Sequence, residues 1–204
     1  MAEQYEINPE KDYGMDESPM ILGFAGKQRV LLRPCADGTV LQPTIIFKAK
    51  HSKSRGVGTR QIRLEHRYAA LRKAIWTKKA NSRYCCLFVD NHASHCTIKF
   101  LCYACNHKII IVGYPPHCTH WLQGLDVVYF ACVKSVWGTE CHRIEQDEEG
   151  KVLKGEFIRV YARVPEQAFM EELIKMAFAK TGIQLFDPSV ITAEMTAPCH
   201  DSWT

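Results

Sequence analysis

The sequence predicts an α/β domain built on a mixed β-sheet, and three observations carry that expectation. Cys85–Val89 is an unbroken apolar run of strand length, the pattern of a strand buried on both faces. Residues 108–112 form a second such run, closed by Gly113-Tyr114-Pro115-Pro116. Between the two, residues 97–105 place Ile98, Leu101, Cys102 and Cys105 at helical spacing, so strand, helix and strand alternate.

The remaining elements follow in order. Residues 1–12 read as a lead-in, and residues 13–18 as a short first strand and its exit. Residues 24–32 and 40–48 read as strands flanking the Asp37-Gly38 turn, a hairpin signal. Residues 48–83 are basic, with Glu65 the only acid among them. Within that stretch Leu64, Tyr68, Leu71 and Ile75 recur at intervals of four, three and four, which marks one apolar face of a helix. Arg60, Arg63, Arg67, Lys73, Lys78 and Lys79 are then candidates for contact with a nucleic-acid backbone, although a basic run is commonly just a solvated face. After the second buried strand, residues 126–137 form an amphipathic helix, and Glu145, Asp147, Glu148 and Glu149 form an acidic surface turn. A helix over 166–180 turns Phe169, Leu173, Ile174, Ala177 and Phe178 to one side, with Gly182 as its C′ residue. Residues 1–186 make the domain, and 187–204 a polar, Pro-containing tail that frays.

Composition narrows the class. At 204 residues the chain can bury one substantial core, and 47% hydrophobic content fits a globular protein. The net charge of +4 is modest. The start shows no secretory pattern and no apolar run approaches a membrane span, so the expectation is a soluble intracellular protein. Disulfides are disfavoured in that setting. Cys102, Cys105 and His107, followed by His117, Cys118 and His120, raise a zinc site, but no second Cys-x-x-Cys accompanies the first. The blander account packs these thiols as small hydrophobes.

Two acids stand where chemistry is commonly assembled. Asp90 ends the first buried strand and Asp126 opens a helix. An Asp in either place also serves as an ordinary turn former or first-turn residue. What distinguishes them is the wording around them: Asp90-Asn91-His92-Ala93-Ser94-His95, Tyr114-Pro115-Pro116-His117-Cys118-Thr119-His120 and Leu122-Gln123-Gly124-Leu125-Asp126-Val127. Tyr13-Gly14-Met15-Asp16-Glu17-Ser18 precedes them, and Thr181-Gly182-Ile183-Gln184-Leu185-Phe186-Asp187-Pro188 follows. This ordered set resembles the DDE-type endonuclease domain of pogo-like transposases in the mariner superfamily, especially the fungal type.

The resemblance implies an RNase H-like mixed sheet flanked by helices. It places the family's three catalytic carboxylates on Asp16, Asp90 and Asp126, the last two 36 positions apart (126 − 90). It implies Mg²⁺ or Mn²⁺ as cofactor, DNA as partner and substrate, a possible homodimer, no small-molecule substrate, and residence in the nucleus. Such enzymes activate a water or 3′-hydroxyl and stabilise the leaving oxygen with two metal ions about 3.5–4 Å apart. Few protein oxygens suffice for Mg²⁺, which keeps several of its waters. His92, His95, His117 and His120 flank the later carboxylates; they either tune them or make structural loop hydrogen bonds, and are poor ligands for Mg²⁺. The wording also departs from the family. The stretch before Cys35 is short, Gly56-Val57-Gly58-Thr59 replaces an expected Gly-Trp-Thr, and His66 stands where a Trp is expected. The alternative to a cutting enzyme is therefore a catalytically inactive or domesticated nucleic-acid-binding protein on the same scaffold.

Overall fold

The computed structural model describes residues 5, 7–21, 27–46, 83–90, 97–115, 118–147, 156–183 and 187–195. The basic stretch with Arg60, Arg63, Arg67, Lys73, Lys78 and Lys79 lies outside them, as do His92, His95 and His117.

Asp12–Ile21 (β1), Lys27–Pro34 (β2), Val40–Ile46 (β3), Cys85–Val89 (β4) and Ile109–Gly113 (β5) join in one sheet, ordered β3-β2-β1-β4-β5. The first three strands are antiparallel neighbours, whereas β1 pairs parallel with β4 and β4 with β5. The expected mixed sheet is therefore present. Parallel neighbours need a crossover, and Ile98–Asn106 (α1) supplies it between β4 and β5. Thr97 caps α1 by accepting the Phe100 N–H at 3.3 Å. The β2–β3 turn forms at the expected Asp37-Gly38: Gly38 adopts φ 91°, and Asp37 Oδ1 accepts the N–H and hydroxyl of Thr39.

β1 is longer than the sequence suggests. It runs ten residues, pairing with β4 through its first half and with β2 through its second. Asp16 lies opposite Leu32 inside that second ladder, so the short connection before Cys35 does not loosen its placement.

Each face of the sheet is covered differently. On one face Tyr13, Met15, Leu31, Leu87 and Val89 pack against Phe100 and Ala104 of α1. Thr119–Leu122 (α2) packs on the Leu125–Tyr129 turn that leads into the other layer, which comprises Phe130–Asp147 (α3), Phe157–Tyr161 (α4), Val164–Ala168 (α5) and Glu171–Lys180 (α6). There Met20, Val30 and Leu32 meet Phe130, Val133 and Trp137 of α3. Trp137, Phe157 and Tyr161 form an aromatic cluster with centroid separations of 4.9, 5.9 and 6.3 Å. Glu140 of α3 is buried at 5% exposure. Its carboxylate accepts Arg143 Nη2 at 3.1 Å and Gln167 Nε2 at 2.8 Å, and it pairs with Arg163 at 3.7 Å. That shared acceptor ties α3 to α5.

Several sequence expectations need correction. Ile98, Leu101, Cys102 and Cys105 do not face the core; all four point to solvent, while Phe100 and Ala104 face inward. The helix expected over 166–180 is broken, because Phe169 and Met170 leave helical geometry and start α6 afresh. Glu145 and Asp147 lie within α3, not in a turn. Cys118 is disulfide-bonded. Gly182 ends α6 as expected: at φ 68° it donates to Ala179 O, and Ile183 donates to Phe178 O, the two bonds of a Schellman cap. The chain past Asp187 is ordered through a short 3₁₀ turn, Pro188–Val190, because Asp187 Oδ1 accepts the Ser189 N–H at 2.9 Å. Among the described residues no helix is long and apolar enough to cross a membrane.

Candidate functional site

Strand register brings the first two acids together. Asp12 pairs with Cys86 and Met15 with Val89, so Asp16 and Asp90 each come directly after the last paired rung of that parallel ladder. The strands separate beyond that rung: β1 continues beside β2, while β4 ends. Side chains alternate along a strand, so Asp16 shares a face with Gly14, the face covered by α3 and α6.

Asp126 arrives from that helical layer. It lies in a π-helical turn, Leu125–Tyr129, closed by the Phe130 N–H donating to Leu125 O, five residues back. A bare Gly124 lets the turn sit where it does, and Gly14 marks how closely β1 approaches it. A Cβ on Gly124 would lie 2.1 Å from the Ala177 carbonyl oxygen of α6. A Cβ on Gly14 would lie 3.4 Å from Leu125 Cδ1 and 3.6 Å from the Phe178 ring. The turn is thus clamped between β1 and α6, and Asp126 is carried to the centre of the sheet, beside Asp16 and Asp90. Within it the Asp126 N–H donates to Gln123 O at 3.0 Å.

The three carboxylates share one electrostatic neighbourhood. Burial pushes Asp16 up to about 8, with the charges of Asp126 and then Asp90 adding to the rise. Gln123 and Lys134 oppose it. Gln123 is buried, and its amide lies near enough to Asp16 to favour the ionised form without meeting strict hydrogen-bond geometry. Asp16 Oδ1 also accepts the Glu17 N–H at 2.6 Å. Asp126 reaches solvent, yet the surrounding protein raises its pKa; Lys134 lowers it and Asp90 raises it. Tyr114 is a buried wall of the same site: burial first, then Asp16, Cys86 and Asp126, hold its hydroxyl far above the ordinary range. Its ring stacks on Phe88 at 6.2 Å.

Sequence reasoning left Gln123, Lys134 and Tyr114 without roles. Lys134 was detectable, since it follows Asp126 by two helical turns and so shares its face. Gln123 and Tyr114 stand out in the sequence only through the resemblance, and their nearness to Asp16 is a tertiary result.

Among the described residues no three His, Cys, Asp or Glu side chains are gathered tightly enough to hold a metal ion as they stand. The charge coupling and this geometric finding concern different ranges: carboxylates repel one another well beyond coordination distance. The donor set still suits a hard divalent cation, being all carboxylate oxygen and burdened with repulsion that a cation would relieve. Cys102, Cys105 and His107 likewise make no three-ligand set, because the His107 ring stacks on Tyr103 at 4.0 Å and its Nδ1 meets Tyr103 O.

Sheet order, crossover and site now meet a set of solved structures. The catalytic domain of Mos1 transposase, solved with raltegravir and magnesium, superposes with TM-score 0.60 at 13% identity, covering 93% of this chain and 86% of that one. The chain has an RNase H-like fold. The same Mos1 domain solved with manganese gives 0.59, again at 13% identity, covering 93% and 85%. A Mos1 paired-end complex with the left transposon end gives 0.55 at 13% identity, covering 89% of this chain and 55% of that one. No family model matches the chain. A curated relative, the MFS-type transporter clz9 of Cochliobolus lunatus, is 25% identical over 114 residues. That match takes in 53% of this chain and 12% of the transporter's length, too small a share for its name to apply here.

Proposed function

We propose that the chain is the DNA-processing domain of a transposase of the pogo-like, fungal-type branch, acting on phosphodiesters through Asp16, Asp90 and Asp126. The observation that carries this reading is the convergence of the three acids from β1, the end of β4 and the turn before α3. Magnesium or manganese is the cofactor of this reading, supported by the metals bound to the Mos1 domains and by the all-oxygen donor set. When bound, the metal ions activate the attacking hydroxyl and stabilise the leaving oxygen.

The chain's own residues supply the rest. Asp16, Asp90 and Asp126 would hold the cation and share its charge. Gln123 steadies Asp16 in its ionised form, and Tyr114 closes the inner wall against bulk water. Lys134 offers an exposed cation to an incoming phosphate. DNA is the partner, supported by the transposon-end complex of Mos1. Arg60, Arg63, Arg67, Lys73, Lys78 and Lys79 supply backbone contacts in this reading, and the nucleus is where such a substrate resides.

The test is nicking of terminal-repeat DNA by purified protein with Mg²⁺ or Mn²⁺. Cleavage that vanishes in Asp90→Ala and Asp126→Ala is the expected result. A folded protein that binds DNA and never cuts it, with either metal, leaves the inactive nucleic-acid-binding alternative.

A further inference from the structure

The outward face of α1 is chemically unusual for a surface helix. Ile98 is 79% exposed and Leu101 45%, and Cys102 and Cys105 are exposed free thiols. At 3.6 residues per turn these four side chains fall within about 100° of arc, one continuous stripe along the helix. The helix carries no acid that would keep this stripe solvated. The two thiols sit three positions apart, the spacing with which a protein presents a pair of ligands to zinc. Among the described residues no third ligand stands by, and His107 is turned to Tyr103.

We propose that α1 is a zinc-dependent self-association surface, in which a second copy of this chain completes a tetrathiolate site from Cys102 and Cys105 of each protomer. Zinc needs four ligands in a closed site and α1 presents two, so a two-fold axis through the metal satisfies the coordination. The same axis sets Ile98 and Leu101 of each copy against the other helix and removes them from water. The buried thiols cannot do this: burial pushes Cys85 and Cys86 up to about 12, which disfavours the thiolate that zinc requires. This inference is independent of the nuclease reading, because α1 covers the sheet face opposite Asp16.

The experiment is sedimentation of the full chain in a non-thiol reductant, with zinc or with chelator, beside zinc content and the thiolate charge-transfer absorption of the cobalt-substituted protein. The expected result is a mass twice that of one chain with zinc, about one zinc for every two chains, and reversal by chelator. Cys102→Ser and Cys105→Ser should each abolish the dimer and the cobalt–thiolate band, and Leu101→Ser should weaken association roughly tenfold or more. Asp90→Asn should leave the zinc dimer intact. A chain that stays monomeric with zinc, a zinc dimer that survives both serine variants, or a dimer requiring an oxidant in place of zinc would each overturn the proposal.

Discussion

The two faces of the sheet are built to different depths. One is covered by α3 to α6, with the Trp137–Phe157–Tyr161 cluster and the Glu140 network binding the helices to one another. Among the described residues the other is covered by α1 alone, whose inner side is Phe100 and Ala104 and whose outer side leaves Ile98 and Leu101 in water. The contrast teaches where rigidity is placed. The acids gather at the edge of the deeper layer, where a bare Gly124 lets the Leu125–Tyr129 turn wedge between strand and helix. A site needing several side chains in fixed register draws on that depth. The thin face has a finished inner contact and an unfinished outer one, which is the arrangement of a surface awaiting a partner.

The sharpest way to break this contrast is to hollow the deep face. Trp137→Ala should cost about 3–5 kcal/mol, read by urea denaturation, because a large ring leaves a cavity amid Phe157 and Tyr161. Gly124→Val should cost about 3 kcal/mol, since its side chain collides with the α6 backbone. That variant should also weaken divalent-metal binding, whereas Trp137→Ala should leave metal binding intact in whatever fraction stays folded. Equal metal affinity in Gly124→Val and the wild type would show that the clamped turn does not position Asp126.

A smaller effect should appear as a pH slope. Burial pushes Asp12 up to about 6 from 3.8. The folded state therefore binds the proton more tightly than the unfolded chain, so the Asp12 contribution to stability falls as pH rises from about 4 to about 6 and then levels. Asp12→Asn should remove that portion of the slope and be the more stable protein at neutral pH. Identical pH profiles for the two proteins would contradict the assignment. The smallest effect belongs to the thin face: Ile98→Ser, measured in chelator, should change stability by no more than about 0.5 kcal/mol. A larger loss would mean that the outer face of α1 is already packed within one chain.

Much of the scaffold was legible because its signals are local. The β4 run is apolar throughout, Asp37-Gly38 demands a turn, and Gly182 has the one side chain suited to its φ. The face of α1 was not legible, because apolar residues occupy both sides of that helix and spacing alone cannot say which side meets the sheet. The break at Phe169 and Met170 was hidden for a similar reason. Phe169 keeps its place on the apolar side, packing 5.8 Å from Tyr129, although the backbone has left the helix. The site divides along the same line. Asp90 and Asp126 mark themselves by position, and the resemblance supplied Asp16. That Asp16 and Asp90 each follow the last rung, Met15 with Val89, and that Gly124 must be bare to admit Ala177, are facts of long-range register and contact.

The most direct test of the central claim is calorimetric titration of the folded protein with Mg²⁺ and Mn²⁺, run on the wild type, Asp90→Asn and Asp126→Asn. The account predicts saturable binding by the wild type and at least a tenfold loss of affinity, about 1.4 kcal/mol, in each variant. Binding that is equally strong in all three proteins, or absent from all three, would contradict it.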